Sequence, residues 1–439
     1  MRTSISHQFS FGDGFIDPSL YELDEELKKA DELLSQPKLL KPFEEVFDEH
    51  MGRPGTPVGI YLRMMYLKFR WGLSYEEVER EVRERLPWRY FCHLSLMDVV
   101  PDSTTLIKLN QRFGEERVGK LNEELVKSLV KTRSIKPRRI RIDSTTLEAH
   151  ISYPNDVGVL HQAVTTLTRT ATSLGKKITS HVHATKRALF AWSQTARAKP
   201  KERKDKGAKI LKAVAKLAKH TVERSREARC ALLRPGSQKL AQAREKFTQQ
   251  IELAERVLSQ TDEKLQGKKS IPQRIVSFYD PEARAICKGK LNRPVEFGRT
   301  LQLAQDSCGV IVHYEIHAGS PNDKTQLLSL VHQTKKRLGI KPKELAADRG
   351  YYSAENVSKL RKTGLRVGIP KVGRLTAKES RHQRTKWFRA LQRFRCGMEA
   401  TISMLKRKFS LGRVLARGSP ATAIWTGFAV FAYNLWQQR

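Results

Sequence analysis

The chain has 439 residues, enough for two or three domains with cores of their own. Its 82 Lys and Arg exceed its 46 Asp and Glu for a formal net charge of +36, which calls for a polyanionic partner, DNA or RNA first. No apolar run is long enough to span a bilayer, and five scattered cysteines (Cys92, Cys230, Cys287, Cys308, Cys396) without a CxxC pair exclude a zinc ribbon or a disulfide framework.

Residues 17–135 read as mostly helical. The stretch "SLYELDEELKKADELLSQ" has helical periodicity and carries most of the N-terminal acidity. After "GRPGTP", the segment "VGIYLRMMYLKFRWGLS" predicts an apolar helix with basic edges. Ser74, with Glu77 three residues on, predicts a capping box. Pro101, Asp102 and Ser103 predict the start of a further helix on which Lys108, Asn110, Gln111 and Arg112 are exposed. Two short helices, a turn and this helix fit a helix-turn-helix with Lys108 and Arg112 on DNA; they fit equally an ordinary helix pair.

Residues 137–152 switch to strand character. "RIRIDSTTLEAH" alternates basic and apolar residues, then places Asp143 at the end of a short strand. From Leu160 to Ser270 the chain is helical again and strongly basic, with 26 Lys and Arg against 9 Asp and Glu between His161 and Ser270. Two long helices joined near Pro235 and Gly236 make either a solvated coiled-coil spacer or a basic arm along a DNA backbone. His181 and His183 in "SHVHA" have the look of a metal pair but no carboxylate beside them.

After Ile271 strands return. "VEFGRTLQLAQD" and "GVIVHYEIHAG" read as consecutive strands, "DKTQLLSLVHQTKKRLG" as a helix ending in Gly339, and "ELAADRGYYS" as a strand ending in Asp348. "AENVSKLRKTG" predicts a helix, "LRVGIP" a strand, "RLTAKESRHQRTKW" a basic loop, and "LQRFRCGMEATISMLKRKFS" a helix. "AIWTGFAVFAYNLW" reads as a buried helix. The alternation suggests an α/β core interrupted after its first strand by the basic helical segment.

Three carboxylates stand out. Asp143 and Asp348 lie at strand ends, where a sheet presents its edge to a ligand, although a turn or cap is the commoner role of a single aspartate. On the last long basic helix Arg395, Glu399 and Lys406 share a stripe beside an apolar seam, as a surface salt-bridge ladder also would. Together the three acids suit a two-metal site: Mg²⁺ prefers carboxylate oxygens, and paired ions offset the repulsion between a phosphodiester and its attacking oxygen.

These motifs, in this order, resemble the DDE transposases of bacterial insertion sequences, and are similar to the group called ISNCY. "GRPGTPVGIYLRMMYLKFRWGLSYEEVEREVRERLPWRYFCHLSLMDVVPDSTTLIKLNQRFG" is similar to the family's N-terminal helical domain. "IDSTTLEAHISYPNDVGVLHQAV" and "LAADRGYYS" are similar to its two aspartate motifs, and Arg395, Glu399 and Lys406 to its third. Gln392 stands where relatives often have tyrosine, and the large insertion lies between the two aspartates rather than after the second.

The resemblance implies a ribonuclease H-like mixed-sheet core with an all-helical N-terminal domain and a long helical insertion. The expected boundaries are 1–135 for the helical domain, 136–160 and 271–439 for the core, and 161–270 for the insertion. It implies Asp143, Asp348 and Glu399 as catalytic and metal ligands for Mg²⁺, with Mn²⁺ able to substitute. Arg349, Tyr351, Arg395 and Lys406 are expected on DNA. Metal-dependent cleavage at insertion-sequence ends and transfer of the 3′-hydroxyl into target DNA follow, by a homodimer or higher assembly on double-stranded DNA. A nuclease without strand transfer, or a DNA-binding protein that has lost catalysis, are the alternatives. The opening residues carry no apolar signal core, so the expected location is the bacterial cytoplasm, with the nucleoid.

Overall fold

The computed structural model describes residues 11–48, 55–135, 138–231, 238–268, 270–287, 294–339 and 341–439. The chain divides into two compact units, one of residues 1–148 and 300–439, the other of residues 149–299.

The first unit opens with helices α1 (Glu25–Leu34), α2 (Pro37–Glu44), α3 (Val58–Trp71), α4 (Tyr75–Glu84), α5 (Leu86–Phe91) and α6 (Ser103–Lys131). Local signals start them as read: Ser74 and Glu77 close the capping box of α4, and Asp102 accepts from the Thr105 N–H at 2.7 Å to cap α6. α6 breaks at Gly114, whose φ of 71° only glycine adopts without strain. Eleven residues, 92–102, separate α5 from α6, so this segment lacks the three- or four-residue turn of a helix-turn-helix. Asn110 is buried rather than exposed. It follows Leu106 and Leu109 and precedes Phe113 on the core-facing stripe, where it accepts from Tyr61 and donates to Tyr75, each at 2.5 Å.

The sheet begins with β1 (Arg139–Ala149), eleven residues long. Asp143 therefore lies within the strand and not at its end. In the second unit follow α7 (Asp156–Ser173), α8 (Val182–Gln194), α9 (Pro200–Cys230) and α10 (Gln238–Leu265), then β2 (Arg284–Cys287) and the start of β3 (Val295–Asp306). The four helices pack on one another around Leu160, Val164, Leu211, Val214, Phe247 and Ile251. The insertion is thus a bundle with its own core rather than a two-helix spacer; the expected joint at Pro235 and Gly236 lies outside the described residues. Asp156 opens the bundle by pairing with Lys264 and Arg274.

The first unit resumes with the rest of β3, then β4 (Ile311–Ala318), α11 (Asp323–Leu338), β5 (Glu344–Ala347), α12 (Ala354–Lys362), β6 (Arg366–Gly368), α13 (Ala377–Arg384), α14 (Lys386–Lys408), β7 (Arg413–Val414) and α15 (Ser419–Trp436). The expected basic loop is instead helical in α13, because Thr376 and Glu379 form a second capping box. The sheet runs β2-β3-β1-β5-β6, with β4 also on β3 and β7 on β1. β3 and β4 are antiparallel; β1, β5 and β6 are parallel. This mixed sheet with flanking helices is the ribonuclease H-like core.

α15 is buried along almost its whole length and packs on α3 and α6. Asn122 of α6 donates to the Gly427 carbonyl at 2.9 Å, and Asn434 both accepts from and donates to the backbone of Ile311 on β4. The N-terminal helices and the sheet thereby share one continuous apolar core.

Candidate carboxylate site

Strand pairing brings the two aspartates together. β1 and β5 run in parallel register, Arg139 opposite Glu344 through Ile142 opposite Ala347. Asp143 is the next residue of β1, and Asp348 follows directly after the last residue of β5, where the pairing ends. The apolar residues Ile140, Ile142, Leu345 and Ala347 are buried and hold this register.

Burial raises the Asp143 pKa above the ordinary carboxylate value; the Ser144 N–H at 2.8 Å and the charge of Arg395 pull it down, and Asp348 and Glu399 push it up. Glu399 stands on α14 one turn after Arg395. The guanidinium lies between the acids, Nη1 3.5 Å from Asp143 Oδ2 and Nη2 3.5 Å from Glu399 Oε1. The Glu399 side chain is 70 % exposed, against 18 % for Asp143, so the two acids stand in different surroundings.

The position of α14 is set by a further group of residues. Arg141, two residues before Asp143, donates to Gln305 Oε1 and to the Phe394 carbonyl, each at 2.7 Å. Gly397 allows this approach, since a Cβ there would overlap Arg141 Nη1. Gln305 also donates to Thr401 Oγ1 at 2.9 Å and Tyr433 Oη at 3.1 Å, tying β3, α14 and α15 into one buried polar network. Gln392 donates to the Gly368 carbonyl at 2.6 Å, so the residue standing in place of the family's tyrosine anchors α14 to β6. At the start of α14, Trp387 donates to Glu344 Oε1 at 2.6 Å and lies under Arg366, 4.2 Å from the guanidinium to the ring centre. A glycine at a helix crossing and paired polar residues at sheet-facing positions were the available signals.

The other expected contacts divide. Tyr351 is buried, 1 % exposed, in the short turn after Asp348, so its side chain is part of the site's packing and is not available to grip a DNA strand. Burial pushes its phenol up. Arg349 is exposed beside it, and Lys406 is half-buried two turns beyond Glu399. Lys108 and Arg112 are exposed on α6; Arg112 already donates to the Val46 carbonyl at 3.1 Å and covers the Phe47 ring. His181 lies 2.9 Å from His220 rather than forming a pair with His183.

Three carboxylates offer only hard oxygen donors, the chemistry preferred by Mg²⁺ and Mn²⁺, and the positive charge of Arg395 already sits among them. The donor set fits such an ion in kind. Among the described residues no three His, Cys, Asp or Glu side chains stand close enough to hold an ion as they lie, so the set is open rather than preassembled.

The ribonuclease H-like core carries Asp143 on β1, Asp348 just past the end of β5 and Glu399 on α14. Residues 279–435 match the family described as Transposase DDE domain, and residues 18–112 match the family described as Transposase domain (DUF772). The chain thus carries two transposase domains, the second of the DDE type. Asp348 and Glu399 fall within the DDE match and Asp143 precedes it; neither match resolves the ISNCY group. No curated protein and no solved structure matches the chain.

Proposed function

We propose that the chain cleaves DNA at the ends of its insertion sequence and joins the freed 3′-hydroxyl to target DNA, with Asp143, Asp348 and Glu399 as the catalytic acids. The observation that supports this reading is the parallel register that ends one residue before Asp143 and Asp348, with Arg395 bridging Asp143 and Glu399. The three acids would hold two Mg²⁺ ions, with Mn²⁺ a substitute; when bound, such ions activate an attacking oxygen and stabilise the leaving one. Asp143 and Asp348 are fixed by their strands and give the rigid half of the set. Glu399 is exposed on its helix and closes it. Arg395 orients Asp143 and Glu399 and offsets their repulsion until DNA and metal arrive. Arg349 and Lys406 flank the acids and hold phosphates, and Lys108 and Arg112 hold DNA from α6.

Two transposon ends have to be held at once, which calls for a homodimer or higher assembly on double-stranded DNA. The setting is the bacterial cytoplasm, at the nucleoid; among the described residues no helix is long and apolar enough to cross a membrane. The test is an assay with a pre-cut terminal end, a supercoiled plasmid and Mg²⁺. Strand transfer by the wild type, lost in Asp348→Asn, supports the reading. Cutting without joining points to a nuclease, and DNA binding without either to a protein that has lost catalysis.

A further inference from the structure

The outward face of α8 is not used by the carboxylate site. His183, Lys186, Arg187, Phe190 and Gln194 stand at positions i, i+3, i+4, i+7 and i+11 of one helix face, and all are exposed. The opposite face, with Val182, Thr185, Leu189 and Trp192, packs against the bundle. Phe190 is 67 % exposed, so its ring contributes nothing to the bundle's core. Lys186 and Arg187 stand about one turn before it, about 6 and 4.5 Å along the axis, and neither forms an ion pair among the described residues.

The surrounding charge is of one sign. From Lys176 to Lys212 there are 12 Lys and Arg and 2 Asp and Glu. Lys199, Lys201, Arg203 and Lys204 are exposed where α9 begins, and α9 packs on α8. A protein partner rarely accepts so many lysines, which protein interfaces deplete. A lone ring among cations is instead what nucleic acid meets, with phosphates on the cations and base faces on the ring.

We infer that the outward face of α8 is a DNA-contact surface, Lys186 and Arg187 holding phosphates and Phe190 lying against bases that have left the stack. This inference goes beyond the carboxylate reading and is independent of it, because binding is measured without metal and without cleavage.

The test uses the full chain in EDTA, with fluorescence anisotropy on a fully paired duplex and on the same duplex carrying unpaired bases. Lys186→Ala with Arg187→Ala is expected to lower the salt slope of log affinity by about 2 on both DNAs. Phe190→Ala is expected to leave the paired duplex within about twofold and to weaken the other DNA by about 5- to 100-fold, with Phe190→Trp restoring it. An unchanged salt slope overturns the phosphate role. Equal affinity of Phe190→Ala and wild type for the DNA with unpaired bases overturns the ring's role. A change in sedimentation of Phe190→Ala in the absence of DNA assigns the face to contact between copies of the chain and overturns the inference.

Discussion

Arg395 Nη1 stands 3.5 Å from Asp143 Oδ2, joining a helix to the middle of a strand 252 residues earlier in the chain. The same guanidinium reaches Glu399 with its other nitrogen. A cation thus occupies the space between acids that would otherwise repel, and this arrangement makes separable predictions about metal, helix position and DNA.

Asp143→Asn keeps the shape of the strand and removes a negative donor. It is expected to abolish Mn²⁺ binding by calorimetry and to slow cleavage by about a thousandfold or more. Affinity for terminal DNA in EDTA should stay within about twofold. Retained cleavage in this variant would remove Asp143 from the site.

Gly397→Ala places a methyl group where Arg141 now sits. Arg141 then has to give up the Phe394 carbonyl or Gln305, or α14 has to move away from the sheet. The expected cost is about 1–3 kcal/mol by urea unfolding, together with a loss of activity, because Glu399 follows two residues later on the same helix. Unchanged stability would show that Arg141 has a second position of equal energy.

Tyr351 and Arg349 were both expected on DNA, and their exposures separate them. Tyr351→Phe should leave DNA affinity within about twofold, whereas Arg349→Ala should weaken binding across sequences and lower the salt slope by about 1. A large loss in Tyr351→Phe, seen by anisotropy, would contradict a purely packed tyrosine.

Lys68 is buried in α3, its ammonium 4.5, 4.6 and 4.9 Å from the ring centres of Trp425, Tyr75 and Phe69, and donating to the Leu73 carbonyl at 2.8 Å. Burial brings its pKa down to about 8, against a partial upward pull from Glu76 and Glu77. The unfolded lysine titrates near 10.4, so between about pH 8 and 10 the unfolded chain binds more protons and stability rises with pH. Buried Cys92 and Tyr61, both pushed up by burial, act in the opposite direction at high pH, so the comparison has to be made with a variant that keeps them. The stability of wild type relative to Lys68→Met should rise by on the order of 2 kcal/mol from pH 7.5 to 9.5, limited by the ring faces that favour the charged form. A pH-independent difference in urea midpoints would show that the cage holds the ammonium at its ordinary value.

Local signals were legible in the sequence where the physics is local. The caps at Ser74, Asp102 and Gly339 act within a few residues, and strands β3 and β4 follow their apolar pattern. The second capping box, Thr376 with Glu379, was equally local and was passed over because the segment's charge resembles a loop. Asn110 was misplaced because polarity was taken as exposure, while helical spacing puts it on the buried stripe; Tyr351 was misplaced because its position next to Asp348 was taken as access to DNA, while the turn there folds it inward. The pairing of Asp143 with Asp348 was out of reach, since it depends on which strands become neighbours. The bond between Arg141 and Phe394 joins residues 253 positions apart and leaves no local pattern.

α15 bears on how the protein comes into being. Its contact from Gly427 to Asn122 closes a loop of 305 residues, and the apolar faces of α3 and α6 are covered only when that helix arrives. During synthesis those faces therefore wait uncovered while more than three hundred further residues are translated. The helical bundle, with a core of its own, can fold in the interval, but the sheet and its acids cannot settle until nearly the whole chain has left the ribosome. An interrupted message would yield a fragment with a folded bundle but an unfinished sheet.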